Sequence, residues 1–187
     1  MVKLAMYGIV ALLDEQHQAK VEALWAEFQE KFGVHGVSGV PVPHFSFHVA
    51  ERYNREKLDI TLKQAAREMS PFKVRTNGLG IFTGKDPVLY IPVIRSPELT
   101  QFHQRLWEPL SATATSPLAY YHPDQWRPHI TLTHKDVNHE LLPKVIRLVS
   151  ERNFIWDIQV DTLALLSGAD DPEDTVMMKV KLGASSS

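Results

Sequence analysis

The chain has 187 residues, a formal net charge of −2 and no cysteine. Its 44% hydrophobic and 22% charged residues are typical of a globular protein, and its length fits one domain or two small lobes around a shared core. The absence of cysteine excludes disulfides, thiol nucleophiles and thiolate metal ligands. The near-neutral charge argues against a general binder of nucleic acid or anionic membranes, although a local basic cleft stays compatible with it.

The N-terminal apolar run "LAMYGIVALL" (4–13) predicts a central strand. It is too short to cross a bilayer, and the following "DEQHQAK" lacks the small-residue cleavage pattern of a signal peptide. We therefore expect a cytoplasmic protein without membrane association. At the other end, residues 184–187 are expected to form a flexible tail.

The first half of the chain alternates strand and helix patterns. The first helix is expected to end near Gly33, and a loop rich in glycine and proline follows it over 34–43. A short glycine pair, Gly78 and Gly80, predicts a bend or bulge in a later strand. The predicted elements are, in order, strand 4–13, helix 21–32, strand 44–49, helix 58–69, strand 72–82 and strand 87–94.

The second half repeats this alternation. Ser96 is expected to cap a helix with Pro97 in its first turn, and a polar stretch with prolines follows. The start of the next helix is uncertain because Pro143 falls in its first turns. The predicted elements are helix 97–110, a strand around 128–132, helix 141–149, strand 154–166 and strand 174–182. The two halves look like variants of one unit, so we predict a pseudo-duplicated α+β fold.

Two short stretches match residue class by residue class. Pro43-His44-Phe45-Ser46-Phe47 corresponds to Pro128-His129-Ile130-Thr131-Leu132. In a strand, side chains two positions apart point to the same face. The histidine and the hydroxyl residue of each motif therefore share a face, while the apolar residues between them pack behind the strand.

A pseudo-twofold relation between the halves would turn both polar faces into one cleft, with two imidazoles and two hydroxyls around a small substrate. One neutral imidazole can remove a proton from a nucleophile while a protonated one donates a proton to the leaving group. The hydroxyls suit phosphate oxygens. This set predicts phosphodiester cleavage by in-line displacement, without a metal or other cofactor.

The paired P-H-x-[ST]-apolar motifs, in a duplicated α+β chain of this length, resemble the two-histidine (2H) phosphoesterase superfamily. The closest resemblance is to its 2'-5' RNA ligase and cyclic phosphodiesterase branch. It extends over nearly the whole chain, including the stretch 77–106. The resemblance implies one bilobal domain over residues 1–183, with two antiparallel sheets and flanking helices around a central cleft.

The resemblance also implies a function. Members of such a family hydrolyse cyclic phosphodiesters, such as RNA 2',3'-cyclic phosphate ends, typically to a 2'-phosphate. Carried over to this chain, His44 and His129 are the general acid and base, and Ser46 and Thr131 hold the phosphate. The motifs are too symmetric to indicate which histidine is the base.

Three further residues are candidate substrate contacts. His48 is expected on the same strand face as His44, as a phosphate contact or at the rim, although a histidine satisfied by the protein is the competing interpretation. A metal site at His44 and His48 is disfavoured, because a spacing of four suits a helix face. Arg127 and Lys135 flank the second motif and are candidates to neutralise the phosphate.

Other residues have weaker interpretations. Tyr7, Tyr120, Tyr121 and Trp126 are candidates to stack on a nucleobase, with packing as the alternative. Most of the remaining histidines, among them His17 and His103, are expected at the surface.

The expected partners are RNA ends with a cyclic phosphate or small nucleotide substrates, and no protein partner is indicated. Two alternatives stay open. The chain could be a 2'-5' RNA ligase, or a non-catalytic module that binds RNA ends or nucleotides on the same fold.

Overall fold

The computed structural model describes residues 6–35, 40, 42–134, 136–168 and 175–183. Within these residues the fold is α+β, as predicted. The elements are, in chain order, β1 (Tyr7–Leu12), α1 (Glu15–Phe32), β2 (His44–Tyr53), α2 (Arg55–Glu68), β3 (Phe72–Arg75), β4 (Gly80–Phe82), β5 (Val88–Pro92), α3 (Pro97–Ser111), β6 (Ala114–Pro117), a 3-10 turn (Ala119–Tyr121), β7 (His129–Thr131), α4 (Leu142–Val149), β8 (Asp157–Val160), β9 (Thr162–Ser167) and β10 (Val176–Lys181).

The larger sheet has five antiparallel strands in the order β10-β9-β1-β2-β6. Its central strand β1 is almost completely buried, as its continuous apolar sequence predicts. The first motif lies on the neighbouring strand β2. Strand β6 pairs with the far end of β2, opposite Ala50 to Tyr53, and leaves the motif end of β2 without a strand on that side.

The smaller sheet consists of two antiparallel pieces, β3-β8 and β4-β5-β7. A bridge between Thr76 and Val93 connects them. Strands β3 and β4 lie on the single predicted strand 72–82, which is interrupted where Gly78 has a φ of 69°. This confirms the predicted bend, since that φ favours glycine. The second motif lies on β7, next to β5.

Capping residues mark the helix ends, although α1 begins at Glu15, six residues before the predicted start at 21. Asp14 and Ser96 accept hydrogen bonds from the backbone N–H groups of the first turns of α1 and α3. Gly33 ends α1 in the left-handed conformation, as predicted. Helix α4 starts at Leu142, so Pro143 falls in the first turn, where a missing N–H costs no helical bond. This resolves its uncertain start.

The prediction missed two elements and merged two pairs of strands, β3 with β4 and β8 with β9. Strand β6 and the 3-10 turn lie in the polar, proline-bearing stretch before the second motif. Their residues are mostly exposed, so no apolar alternation marks them. The predicted strand 154–166 is divided between β8 and β9, which belong to different sheets. Residues 184–187 lie outside the described residues.

One main hydrophobic cluster extends through both sheets and contacts all four helices. It includes the apolar motif residues Phe45, Phe47, Ile130 and Leu132, all with no exposed surface. Burying such side chains supplies about 1.5–3 kcal/mol each, so the core fixes the direction in which both motif strands face. No helix among the described residues is long and apolar enough to cross a membrane.

Candidate active site

The two motifs have the same burial pattern. From Pro43 to His48 and from Pro128 to Thr133, the residues are buried, half-buried, buried, half-buried, buried and buried. The half-buried positions are the histidine and the hydroxyl residue of each motif. The predicted alternation is therefore confirmed: each histidine shares a face with its hydroxyl partner.

Both motif histidines are held in the same way. Nδ1 of His44 is 2.6 Å from the carbonyl oxygen of Val42, and Nδ1 of His129 is 2.6 Å from that of Arg127. A carbonyl oxygen only accepts, so Nδ1 carries the proton in each ring. In the neutral imidazole, Nε2 then has the free lone pair. Each ring thus has one nitrogen fixed by the backbone and the other available for proton transfer.

A β-bulge follows the hydroxyl residue in both motifs. On β2 the pairing with β1 shifts between Ser46 and His48, so Phe47 is the extra residue. In the second motif the N–H groups of Leu132 and Thr133 both donate to the carbonyl of Leu89. After such a bulge, the next side chain faces the opposite way.

The bulge makes the predicted face of His48 wrong. His48 is completely buried on the core side of β2, not beside His44 and Ser46. Nδ1 lies 2.6 Å from the hydroxyl oxygen of Tyr53, and Nε2 lies 3.1 Å from Oγ of Ser111. The competing interpretation, a histidine satisfied by the protein, is the one that fits. Because His44 and His48 face opposite ways, they do not form a metal-ligand pair.

Side chains take the place of a strand along the open end of β2. The indole Nε1 of Trp126 donates to the carbonyl of Ser46 over 2.8 Å. Nε2 of His103 donates to the carbonyl of Phe47, also over 2.8 Å. The Trp126 and His103 rings contact each other, with centroids 3.8 Å apart. His103 from α3 and Trp126 from the segment that leads to the second motif thus fix the backbone of the first motif.

His103 and Trp126 differ from their expected roles. His103 is 1% exposed rather than at the surface, and Trp126 is equally buried, so its ring packs inside instead of stacking on a base. His17 is likewise buried, beside the capping Asp14. No local spacing marks His103 or Trp126, because their partners on β2 are 56 and 80 positions away. The nearest signal is the position of Trp126, two residues before the motif proline.

Each hydroxyl residue has a tyrosine neighbour. The side chains of Ser46 and Tyr121 are hydrogen-bonded, and burial raises the pKa of Tyr121 to about 12, so its hydroxyl keeps its proton. Thr131 is directly opposite Tyr90 in the pairing of β7 with β5. Cross-strand partners of this kind have neighbouring side chains on the same face.

An aromatic cluster lies against His129. The Tyr90 and Phe82 rings are stacked with centroids 4.1 Å apart, and Phe82 contacts the His129 ring at 4.8 Å. A glycine makes room for this packing: a Cβ at Gly80 would lie 2.4 Å from the Tyr90 ring. These rings exclude water from one side of His129, next to Thr131.

The sequence pattern of most of the chain agrees with this geometry. A family model described as the 2'-5' RNA ligase superfamily matches residues 13–172, a range that includes both motifs. The chain belongs to the 2'-5' RNA ligase superfamily. This confirms the resemblance inferred from the paired motifs.

Solved structures share the fold of this superfamily member. LigT of E. coli, in its apo form, is 15% identical, with a TM-score of 0.61 and coverage of 96% of this chain and 98% of LigT. TT0787 of Thermus thermophilus is 19% identical, with a TM-score of 0.62 and coverage of 97% and 100%. LigT has also been solved with phosphate and with 3'-AMP. A search of curated protein sequences found no significant match.

Burial lowers the pKa of both motif histidines. The pKa of His44 falls to about 4, mainly through burial and further through the nearby His129, while the hydrogen bond to Val42 opposes the shift. The pKa of His129 is also lowered by burial, against the effect of its hydrogen bond to Arg127. Strands β2 and β7, which carry the two motifs, are in contact with each other. Without a bound anion, both rings are mostly neutral at pH 7.

Of the two basic residues that flank the second motif, the structure describes only Arg127. Arg127 is exposed, and its charge acts on the hydroxyl of Tyr120, which lies in the 3-10 turn. Lys135 lies outside the described residues. Among the described residues, no three His, Cys, Asp or Glu side chains are grouped so that they could hold a metal ion.

Proposed function

We propose that this chain is a metal-independent phosphodiesterase. It hydrolyses a 2',3'-cyclic phosphate, or a 2'-5' phosphodiester, at an RNA end or in a nucleotide-derived metabolite. In this proposal residues 1–183 act as one bilobal domain, and the substrate lies between the two motifs. His44 and His129 transfer protons, and Ser46 and Thr131 bind the phosphate oxygens.

One observation carries this proposal: the two motif histidines are equivalent. Each has Nδ1 bonded to the backbone carbonyl two residues before it, and each leaves Nε2 available. In-line displacement at phosphorus needs a base on one side and an acid on the other. Two equivalent imidazoles, each beside a hydroxyl, meet this requirement. A single histidine with a hydroxyl would not.

The reaction balances with these groups alone. The neutral imidazole takes a proton from water as the water oxygen attacks phosphorus. The bond from phosphorus to O3' breaks, and the protonated imidazole gives its proton to O3'. The product is a 2'-phosphate with a free 3'-hydroxyl. The hydroxyls of Ser46 and Thr131 donate hydrogen bonds to the phosphate oxygens during this transfer.

The negative charge of the bound substrate stabilises the protonated histidine that acts as the acid. Both histidine pKa values are lowered in the free protein. A phosphate anion near the rings favours the imidazolium form and raises these values. A bound substrate therefore brings one histidine into its protonated form while the other stays neutral. LigT, which shares the fold, has been solved with phosphate and with 3'-AMP, ligands of the same chemical class.

The test is hydrolysis of adenosine 2',3'-cyclic phosphate in the presence of EDTA. We expect turnover by the wild type to the 2'-phosphate, and a loss of at least about 100-fold in kcat for His44→Ala and for His129→Ala. Ser46→Ala and Thr131→Ala are expected to lose about 10-fold each. His35→Ala, at an exposed histidine, is the matched control and keeps full activity. Full activity in either motif-histidine variant would contradict the proposal.

The superfamily name favours ligation as the second candidate function. In that reaction a 5'-hydroxyl, instead of water, attacks the cyclic phosphate, and the same two histidines transfer the protons. Adding an oligonucleotide with a free 5'-hydroxyl to the assay separates the two outcomes, because a 2'-5' linked product forms only by ligation. Nucleotide binding without any turnover would instead identify a non-catalytic module.

A further inference from the structure

A cavity of about 450 Å³ lies next to the second motif. Its volume is within the range of small-ligand pockets. The lining residues are Arg95, Tyr120, Asp124, Gln125, Trp126 and Arg127. None of the four motif residues that bear the proposed chemistry belongs to this lining, so the cavity is a separate place for part of a ligand.

The cavity adjoins the site at two points. Arg127 is part of the lining, and its carbonyl oxygen accepts the hydrogen bond from Nδ1 of His129. Tyr120 also lines the cavity, and its ring contacts Phe82, which in turn contacts the His129 ring. The cavity therefore adjoins His129 through both Arg127 and Tyr120.

Two guanidinium groups supply the positive charge. Arg95 is held in place because it donates to the carbonyl oxygens of Trp126 and Pro123 over 3.1 and 3.0 Å. An arginine has five N–H donors, so several remain for a ligand. Arg127 is exposed, and its guanidinium makes no hydrogen bond or ion pair with any described residue.

One acidic residue is part of the same lining. The carboxylate of Asp124 lies 3.5 Å from Nδ1 of His122 and is largely exposed. With two arginines and one aspartate, the charged lining remains net positive. Planar guanidinium groups match the geometry of phosphate oxygens. The guanidinium of Arg127 has no bond to a described residue that would have to break before it binds a ligand.

We propose that the cavity formed by Arg95 and Arg127 binds the 5'-phosphate of the nucleoside whose 2',3'-cyclic phosphate is at the motif histidines. This inference rests on the proposed function and narrows its substrate class. The 5'-phosphate can come from two sources: the preceding phosphodiester of an RNA chain, or the monoester of a mononucleotide.

The test compares kcat/KM for three substrates that share one reacting end. They are adenosine 2',3'-cyclic phosphate, the same compound with a 5'-phosphate, and the dinucleotide ApA with a 2',3'-cyclic phosphate. We expect the 5'-phosphate to raise kcat/KM about 10-fold in the wild type, the size of one hydrogen bond to a charged group. A dinucleotide used better than the 5'-phosphorylated mononucleotide identifies an RNA end as the source, and the reverse identifies the mononucleotide.

Variants of Arg127 test whether its guanidinium causes the preference for the 5'-phosphate. Arg127→Gln is expected to reduce the preference from about 10-fold to about 2-fold or less. Arg127→Lys keeps the charge but loses the planar fork, so it retains part of the preference. Arg67→Gln, which removes an exposed arginine from α2, is the control and keeps the full preference. The backbone carbonyl that holds His129 is present in every variant.

Two results would overturn this inference while leaving the proposed function intact. The wild type could use the substrates with and without the 5'-phosphate equally well, or Arg127→Gln could keep the full preference. If no substrate is turned over at all, the proposed function fails, and binding tests the cavity instead. The subsite then predicts about 10-fold tighter binding of the 5'-phosphorylated nucleotide to the wild type, and equal binding of both nucleotides to Arg127→Gln.

Discussion

The indole nitrogen of Trp126 donates a hydrogen bond of 2.8 Å to the carbonyl oxygen of Ser46. This bond joins the segment that leads to the second motif with the strand that carries the first. The Trp126 ring is also stacked on Phe47, the bulged residue of β2, at 5.5 Å. One buried side chain therefore fixes the backbone at Ser46 relative to His129.

Replacing Trp126 with Phe tests this connection. The change removes the hydrogen bond and leaves the Ser46 carbonyl without its partner, at a cost of about 1–3 kcal/mol of folding stability. We expect kcat for the cyclic phosphate to fall about 10-fold, because Ser46 loses a fixed position. The measurements are urea unfolding and steady-state kinetics.

Trp107→Phe is the matched control for that variant, because Trp107 is buried on α3, contacts the rings of His48 and His103, and among the described residues makes no hydrogen bond to β2. It should lose stability without a comparable loss of kcat. Equal kinetic losses in both variants would show that the effect is only a general loosening of the core.

The hydrogen bond between Tyr121 and Ser46 predicts a role for Tyr121 in orienting the serine hydroxyl. Tyr121→Phe keeps the ring and removes this bond, so kcat is expected to fall about 5- to 10-fold with little change in stability. The double variant with Ser46→Ala should lose no more activity than Ser46→Ala alone, since both act through one hydroxyl. Additive losses would contradict this.

The lowered histidine pKa values predict an acidic optimum for kcat/KM, which reports groups in the free enzyme. The base must be neutral and the acid protonated. With the pKa of His44 at about 4 and that of His129 also below its usual range, the protonated acid becomes rare as the pH rises. We expect a bell-shaped profile with its maximum between about pH 4 and 6.5. For kcat, the bound phosphate should move this maximum towards higher pH.

The test is a pH–rate series from about pH 4 to 9 with one cyclic nucleotide. A maximum of kcat/KM above about pH 7.5 would contradict lowered pKa values in the free protein. His35→Ala, at the exposed histidine, should reproduce the wild-type profile.

Two buried histidines outside the motif face make folding stability depend on pH. Burial lowers the pKa of His48 and of His103 to about 4. The nearby His103 lowers the pKa of His48 further. Arg95 and His122 likewise lower the pKa of His103. In the unfolded chain the pKa is about 6.5, so between about pH 6.5 and 4 the unfolded state binds more protons. Stability is then lost as the pH falls, by about 2 kcal/mol for each histidine between pH 7 and 5.

Urea unfolding at about pH 7 and pH 5 measures this loss. His48→Gln and His103→Gln remove one titrating group each, so each variant should lose about 2 kcal/mol less than the wild type over this interval. The comparison is between the two pH values within one variant, which makes it independent of the variant's own stability at neutral pH. A wild type with the same stability at both pH values would contradict the prediction.

The sequence by itself determined the parts of this protein that depend on local spacing. Alternation of apolar and polar residues in the two motifs placed each histidine beside its hydroxyl partner, because successive side chains in a strand point to opposite faces. The helices followed from apolar spacing and from the end signals at Gly33 and Ser96, which act within one turn. The repeated motif was sufficient to indicate the superfamily.

Tertiary structure decided the features that depend on pairing between distant segments. The bulge at Phe47 arises in the register between β1 and β2, and it turns His48 into the core although local alternation predicts the other face. Strand β6 is exposed and lies at the edge of the larger sheet, so no apolar pattern marks it. The contacts of His103 and Trp126 with β2 extend over 56 and 80 positions. Hydrogen bonds of this kind are set by the packing of the whole chain, because nothing in the sequence near either residue specifies its partner.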